Sequence, residues 1–339
     1  MSRVRRLHRA LGVAVPILSL GACTGWQSPL DPQGPEARHL ADLFWTFTTF
    51  LAVVWVLTML ALVLALRPRR PADADPLGTN PGTEKRMTAV VTTAVALTGI
   101  SVLVLTGFSY ASQKQLFSTK ADGLTIRVIG HQWWWEVRYE DPEPQKAFTT
   151  ANKIHVPVGE PVKIKLNSSD VIHSFWVPTL MGKQDNITGR ENEIQFTAER
   201  EGVYRGQCAE FCGWQHAHMG LLVVARPKAE FGGWRAHQRA AAQAPTDPER
   251  QRGMEIFLTK PCVMCHQVRG TTTGGRVAPD LTHVGSRAYL AAGTLQLTRG
   301  NLAAWIVDPH GIKPGVNMPT IKLHPDDLNA VAAYLEGLK

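Results

Sequence analysis

The chain has 339 residues, of which 44% are hydrophobic, and its mean hydropathy is near zero. This length has room for about two or three domains, and the composition suggests soluble domains joined to a membrane part. The net charge of +8 does not indicate nucleic-acid binding, because the excess of basic residues is concentrated at the extreme N-terminus and in one short segment between two apolar runs.

The first residues have the pattern of an export signal. Four arginines in positions 3–9 precede an apolar stretch at 11–20, and small residues lead to Cys23. The Leu-Gly-Ala-Cys sequence that ends at Cys23 resembles a bacterial lipobox. This resemblance implies that residues 1–22 are removed and that Cys23 is lipidated. An ordinary signal peptide cleaved elsewhere and an uncleaved helix are the alternatives.

Two uncharged runs are long enough to cross a membrane as helices. The first, from Leu43 to Leu66, contains 24 residues and would extend about 36 Å at a rise of roughly 1.5 Å per residue. The second runs from Met87 to Gln113. A buried core helix of a soluble protein is the alternative, but these lengths favour a transmembrane hairpin.

The segment between the two runs predicts the orientation of the hairpin. It carries Arg67, Arg69, Arg70, Lys85 and Arg86, and short basic loops remain on the cytoplasmic side. Both mature termini are therefore predicted to lie outside the cytoplasmic membrane of a bacterium, on its periplasmic or external face.

The region that follows is predicted to be a β domain. Short β-branched or alternating runs are separated by Gly, Pro, Asn and Asp, which is typical of a sandwich or a barrel. The predicted strands are 124–129, 133–139, 153–156, 162–166, 194–197 and 221–225.

Soft metal ligands are concentrated in one segment of this domain. The sequence CAEFCGWQHAHM contains Cys208, Cys212, His216 and Met219, which together with an upstream histidine form a set that copper favours. The best candidate for that histidine is His173, predicted to lie where a strand ends. The additional cysteine allows two thiolates to bridge two copper ions. Zinc is the alternative, but it has little use for a methionine, and the β context argues against a helix.

Three segments carry a specific family resemblance: IGHQWWWEVRYE, DVIHSFWVP and YRGQCAEFCGWQHAHMG. Together with the paired apolar runs they resemble subunit II of haem-copper cytochrome c oxidase, over roughly residues 40–226. The resemblance implies a cupredoxin-like Greek-key barrel that holds a dinuclear copper centre, CuA. The implied copper ligands are His173, Cys208, Cys212, His216, Met219 and the backbone carbonyl of Glu210.

The resemblance implies two further roles. The Glu210 side chain would reach a magnesium ion at the interface with the catalytic subunit, and Trp133 would be the point where electrons enter the domain. For Trp133, packing in the core is the alternative. His131 and His218 are not predicted to be ligands. Glu84 is interpreted as a solvated loop charge, and a match to a family glutamate at the mouth of a proton-uptake path is the alternative.

A second redox motif follows an alanine-rich connector. Cys262-Val-Met-Cys265-His266 matches the C-x-x-C-H pattern, in which two cysteines form thioethers to haem and the histidine binds the iron. A disulfide or a zinc pair is the alternative. The predicted helices around this motif are 248–258, 301–308 and 325–338, and the segment resembles a class I cytochrome c.

The sixth iron ligand is predicted to be Met318, on a proline-bounded loop before the last helix. His283, His310 and His324 are the alternatives. The resemblance to class I cytochromes implies that Pro279 supports the His266 side of the haem and that Arg287 supports a propionate.

The predicted fold class is a multi-domain membrane protein with a two-helix transmembrane hairpin, an all-β cupredoxin-like Greek-key barrel and an all-α cytochrome c domain. The predicted divisions are a signal segment (1–22), an external N-terminal segment (23–40), the hairpin (41–113), the copper domain (114–226), a linker (227–245) and the cytochrome domain (246–339).

The resemblance implies a terminal respiratory oxidase subunit without an oxygen site of its own. Electrons from an external cytochrome c or a quinol-oxidising complex would pass through haem c and CuA to the haem-copper site of subunit I, where oxygen is reduced to water. Subunit III is a further expected partner, and no nucleic acid is expected. The small subunit of a CuA-type nitric oxide reductase and a membrane-anchored copper chaperone are the alternatives; a quinol oxidase subunit II would lack these copper ligands.

Overall fold

The computed structural model describes residues 24–66, 81–118 and 123–339. The predicted signal segment, the lipidation of Cys23 and most of the basic segment between the apolar runs lie outside these residues. One compact unit lies within His39–Lys120, and the other comprises the rest of the described chain.

The first unit consists of two long apolar helices, α1 (Pro35–Ala65) and α2 (Pro81–Ser118). Each contains a stretch whose length and mean hydropathy, 2.4 in α1 and 2.1 in α2, suit a membrane span. The hydroxyls of Thr58 and Thr98 donate to carbonyls four residues earlier, so these polar groups are satisfied within their own helices. Both helices begin before the uncharged runs, each with a proline in the first turn, where no amide donor is needed.

The β domain contains ten strands within residues 123–226 of the described chain. They are β1 (Leu124–His131), β2 (Trp134–Tyr139), β3 (Phe148–Ala151), β4 (Lys153–Pro157), β5 (Pro161–Ser168), β6 (His173–Trp176), β7 (Gln184–Asn186), β8 (Asn192–Thr197), β9 (Gly202–Cys208) and β10 (Gly220–Arg226). Two single 3-10 turns accompany them, Pro144–Lys146 and His216–His218.

These strands form two sheets with the orders β3-β2-β1-β5-β8 and β4-β10-β9-β6-β7. The pairs β1–β5 and β4–β10 are parallel, and the other neighbours are antiparallel. In β1, β5 and β10 alternate residues point into one shared core, so the period-2 pattern of β1 places Ile126 and Val128 inside. Trp135 and Val137 of β2 and Val223 of β10 meet them there.

Helix α3 (Lys228–Arg239) packs on the β domain, although the sequence predicts a linker over 227–245. Phe231 is buried in the core of that domain, and the ring of Trp234 stacks on His155 with centroids 4.1 Å apart. Tyr139 contacts the other side of this cluster, 5.3 Å from Trp234. The helix is therefore part of the β domain rather than a free connector.

The C-terminal domain is mainly helical and has its own core. Its elements are α4 (Pro248–Thr259), α5 (Cys262–Cys265), a 3-10 turn (Val284–Ser286), β11 (Tyr289–Leu290), β12 (Leu295–Gln296), α6 (Arg299–Val307), α7 (Pro309–Ile312) and α8 (Pro325–Gly337). The Asp247 side chain caps α4 by accepting from the amide of Arg250. Phe257 of α4 and Tyr334 of α8 join these helices, with ring centroids 5.9 Å apart.

Candidate metal centre and haem attachment site

Five side chains predicted as copper ligands converge beside the paired strands β6 and β9. His173 is the first residue of β6 and Cys208 is the last of β9, so the pairing of these strands brings the two together. Cys212, His216 and Met219 follow in the loop and turn that lead into β10. The predicted position of His173 at the end of a strand was wrong: it begins one, because β6 forms only by pairing with β7 and β9.

The sulfur and nitrogen atoms of this cluster are close together. Sγ of Cys208 lies 3.7 Å from Sγ of Cys212 and 3.8 Å from Nδ1 of His173. Sγ of Cys212 lies 3.6 Å from Nδ1 of His216 and 3.9 Å from Sδ of Met219. The arrangement is thus a pair of thiols with one imidazole nitrogen beside each.

The chemistry of this donor set fits copper. Two thiols, two imidazoles and a thioether are soft or borderline ligands, and a central thiol pair can bridge two ions. Met219 is completely buried, and its sulfur faces Cys212. The cysteines lie at a strand end and in a loop. They therefore do not share one helical face, as a zinc site built on a helix would require.

His173 is held by neighbours outside the ligand set. Its Nε2 lies 2.8 Å from Oδ1 of Asp170, which orients the ring so that Nδ1 faces Cys208. Gly130 of β1 packs against the ring: a Cβ at this position would lie 2.5 Å from Cδ2 of His173. Only glycine leaves room for the imidazole there.

The two thiols influence each other strongly. The neighbouring Cys212 holds the pKa of Cys208 well below the usual value for a thiol, while the proximity of Cys208 and burial raise the pKa of Cys212. Burial opposes protonation of His173, but its hydrogen bonds to Asp170 and Cys208 outweigh this and raise its pKa. The cluster therefore favours one thiolate before any metal binds, and thiolate is the ligating form.

Glu210 lies between the two cysteines. Its carbonyl oxygen is 3.2 Å from Sγ of Cys208, at the same cluster. Its side-chain carboxylate is half exposed and lies 3.8 Å from Nζ of Lys183. The magnesium role of the carboxylate stays a prediction.

Two histidines that were not predicted as ligands have other partners. His131 lies 3.0 Å from the Glu136 carboxylate through Nε2 and 2.7 Å from the Ser169 hydroxyl through Nδ1. Nδ1 of His218 lies 2.8 Å from the side-chain oxygen of Gln215.

Trp133 is buried against the copper-ligand loop, with 7% of its surface exposed. Its Nε1 donates to the carbonyl oxygen of Cys212 at 2.8 Å, and the side-chain amide of Gln132 donates to the same oxygen, also at 2.8 Å. The indole is therefore hydrogen-bonded to the backbone of Cys212, a candidate copper ligand. It also belongs to the core of the β domain, and the electron-entry role of Trp133 stays a prediction.

The haem attachment motif forms a single short helix. Cys262 and Cys265 are its first and last residues, and His266 follows directly. Nδ1 of His266 lies 2.8 Å from the carbonyl oxygen of Pro279, which leaves Nε2 for a metal. Burial lowers the pKa of His266, so the ring is neutral and able to ligate.

Met318 and Cys262 are partly buried and pack against the same core cluster. The alternatives for the sixth ligand are placed less favourably. Both ring nitrogens of His283 lie close to backbone oxygens: Nδ1 is 2.9 Å from that of Lys339, and Nε2 is 3.2 Å from that of Ala240. His310 and His324 are exposed at the surface.

The residues that support the site could not be identified from the sequence. Asp170 was visible only as an acid three residues before His173, and Gly130 only as a glycine next to His131. Lys313, which is buried against Trp133, gave no local signal. All three act through contacts between distant parts of the chain.

Two family models match the chain. The periplasmic domain of cytochrome c oxidase subunit II matches residues 141–226, and cytochrome c matches residues 250–339. Together with the two candidate spans, they define a membrane-associated redox protein with a cupredoxin-like and a cytochrome c domain.

The relatives define the family. The cytochrome c oxidase subunit 2 of Alkalihalophilus pseudofirmus is 33% identical over 98% of this chain and 97% of its own, and that of Bacillus subtilis is 30% identical over 96% and 95%. The crystal structure of the periplasmic domain of subunit II of cytochrome oxidase of Bradyrhizobium japonicum is 32% identical, covers 36% of this chain and 96% of its own, and has a TM-score of 0.33.

The chain belongs to the cytochrome c oxidase subunit 2 family and is a component of an oxidoreductase complex. The predicted family, fold class and enzyme class are confirmed.

Proposed function

We propose that this chain is the electron-entry subunit of a terminal oxidase. Electrons pass from an external donor through haem c and a dinuclear copper centre to the haem-copper site of subunit I. Oxygen is reduced to water there. The observation that carries the proposal is the convergence of His173, Cys208, Cys212, His216 and Met219 through steps of 3.6–3.9 Å in one chain with a separate C-x-x-C-H motif.

The copper-domain residues bind and shield the metal. Cys208, Cys212, His173 and His216 would hold the copper, with Met219 and the Glu210 carbonyl as weaker ligands. Bound copper and haem supply reversible one-electron transfer. Four of the proposed ligands, His173, Cys208, Cys212 and Met219, are 0–3% exposed, which excludes water from most of the centre.

The cytochrome-domain residues fix the haem. Cys262 and Cys265 would anchor it covalently, and His266, oriented by Pro279, would bind the iron. Met318 is proposed as the second protein ligand of the iron. A thioether there raises the haem potential, which suits a donor to copper.

Subunit I, with its haem-copper site, is the proposed partner that accepts the electrons, and subunit III is a further proposed partner. The Glu210 carboxylate is proposed to reach a magnesium ion at the interface with subunit I. Relatives named cytochrome c oxidase support oxygen, rather than nitric oxide, as the final acceptor. Uptake of oxygen but not of nitric oxide by the purified complex is the expected result; the reverse would assign the chain to a nitric oxide reductase.

Both mature termini and both redox domains are proposed to lie outside the cytoplasmic membrane. The basic residues between the two candidate spans support this orientation. In right-side-out spheroplasts, a Gln113→Cys variant should react with an impermeant maleimide, while Asp73→Cys should react only after permeabilisation. The opposite labelling pattern would reverse the topology.

Reciprocal cysteine variants of the full chain test the two redox sites. Cys208→Ser should abolish the thiolate-copper absorption and leave the c-type haem band intact. Cys262→Ser should disturb haem attachment and leave the copper absorption in place. An unchanged copper spectrum in C208S would overturn the copper assignment, and a c-type haem band in C262S with the wild-type position and intensity would overturn the haem assignment.

A further inference from the structure

A buried lysine connects the cytochrome domain to the copper domain. Lys313 follows α7 and is 1% exposed. Its Nζ donates to three carbonyl oxygens: those of Trp133 at 2.8 Å, His218 at 2.7 Å and Ala291 at 2.9 Å. Two of the acceptors belong to the copper domain, and the third belongs to the cytochrome domain.

The three acceptors match the three donors of an ammonium group. Burial lowers the pKa of Lys313 to about 7. A buried amine is costly unless it is hydrogen-bonded. Because two of its three partners lie on the other domain, the lysine is satisfied only when the domains are in contact.

Contacts around Lys313 make the interface specific. The side chain of Gln215 donates to the carbonyl of Pro314 at 2.9 Å, and the amide of Gly220 donates to the carbonyl of Ala292 at 2.8 Å. Both contacts join the copper-ligand region to the cytochrome domain. The segment 313–316, called here the docking loop, thus lies directly against the copper site.

The docking loop also covers Trp133. Gly315 has a φ of +89°, and a Cβ at this position would lie 3.2 Å from the Trp133 ring. Val316 packs against the core of the β domain. The loop ends two residues before Met318, and the Lys313 acceptor His218 immediately precedes Met219. One short segment therefore links the candidate haem ligand to the candidate copper ligands.

We propose that Lys313 is a positioning residue that holds the cytochrome domain on the copper domain at Trp133, and thereby sets the path for internal electron transfer. This inference rests on the proposed function. Because the docking loop covers Trp133, an external donor must deliver its electron to the cytochrome domain rather than to the indole.

The test uses the full chain, loaded with haem and copper, and a Lys313→Met variant. Methionine keeps an unbranched side chain of similar length but donates no hydrogen bond. We expect unchanged haem and copper spectra, while transfer from reduced haem to copper after a laser-driven electron pulse slows by about tenfold or more. Lys322→Met, which alters an exposed lysine of the same domain, should transfer at the wild-type rate.

Hydrogen–deuterium exchange gives a readout that does not depend on electron transfer. In K313M, amides in 291–293 and 313–317 should exchange faster by about tenfold or more than in the wild-type chain, whereas K322M should not change them. If K313M failed to retain haem, Gly315→Ala would carry the same two predictions, because its added Cβ, 3.2 Å from the Trp133 ring, pushes the docking loop from Trp133 without removing the Lys313 side chain.

Wild-type rates of both transfer and exchange in a correctly loaded variant would overturn the role of Lys313. A wild-type chain that binds both cofactors but transfers no electron between them would instead overturn the proposed function.

Discussion

At the residue scale, the candidate copper cluster depends on groups outside its predicted ligand set. Gly130 provides the space for the His173 ring, and Asp170 fixes the direction of its nitrogens. Groups of this kind commonly change metal affinity by about 10–100-fold when they are replaced. The ligand set is therefore only part of what specifies the centre.

Gly130→Ala should weaken copper binding. The added methyl group would lie 2.5 Å from the His173 ring and must displace it. Competition with a copper chelator should show an affinity lower by about tenfold or more. Gly123→Ala is the matched control, because its Cβ would make only an ordinary 3.6 Å contact with Pro161. Equal affinities for the two variants would contradict the account.

His155 predicts a pH dependence of stability. Burial lowers its pKa to about 2, against about 6.5 in the unfolded chain. Between these values the unfolded chain binds a proton that the folded domain does not. The contribution of the neutral His155 to the free energy of unfolding is therefore complete above pH ~6.5 and is lost progressively as the pH falls toward 2.

Denaturant unfolding of the metal-free chain tests this prediction through His155→Gln, which cannot be protonated in this range. Below pH ~6.5 the free energy of unfolding of the wild-type chain should fall more steeply than that of H155Q, by up to about 1.4 kcal/mol per pH unit. Parallel pH profiles would show that His155 is not held neutral by the fold.

At the element scale, helix α3 is an unexpected part of the copper domain. Phe231 and Trp234 fill the space beside Tyr139, Phe148 and His155. The consecutive glycines 232 and 233 obscure the helical pattern in the sequence. The helix is stabilised by burying these aromatic side chains rather than by its intrinsic propensity.

Trp234→Ala should therefore destabilise the copper domain, not merely loosen a linker. Loss of a half-buried indole is expected to lower the free energy of unfolding by about 2–4 kcal/mol. Glu230→Ala, on the exposed side of the same helix, should change it by less than about 0.5 kcal/mol. The difference is measured by denaturant unfolding of the two variants. A stability loss for W234A no larger than that for E230A would mean that α3 does not support the domain.

The strands differ in how far they could be predicted. β1, β5 and β10 have long alternating apolar patterns, which are local and therefore readable from the sequence. β6 and β7 have only four and three residues, and they exist because β6 pairs with β7 and β9. Long-range pairing leaves no periodic signal in so short a segment.

The candidate site shows the same contrast. The spacing of Cys208, Cys212, His216 and Met219 is local, so the copper hypothesis could be formed from twelve consecutive residues. The partner of His173, Asp170, and the close approach of Gly130 arise from packing between strands. The roles of Asp170 and Gly130 are therefore visible only in the folded chain.

At the scale of the whole molecule, the junction between the copper and cytochrome domains is the feature that no motif indicated. Each domain is recognisable from its own cysteines, but the junction depends on Lys313 and the docking loop. A lysine surrounded by ordinary loop residues gives no sign that it will be buried. Lys313 lies 180 residues from its acceptor Trp133, so only the folded chain reveals the contact.

The most direct test of the account follows one electron through the full chain loaded with haem and copper. After a substoichiometric pulse of photochemical reductant, the haem c band should be reduced first and then reoxidised as the copper absorption decays by the same number of electron equivalents. A haem that remains reduced beside oxidised copper, in a chain with both spectra intact, would contradict the claim that this protein passes electrons from the haem to the copper centre.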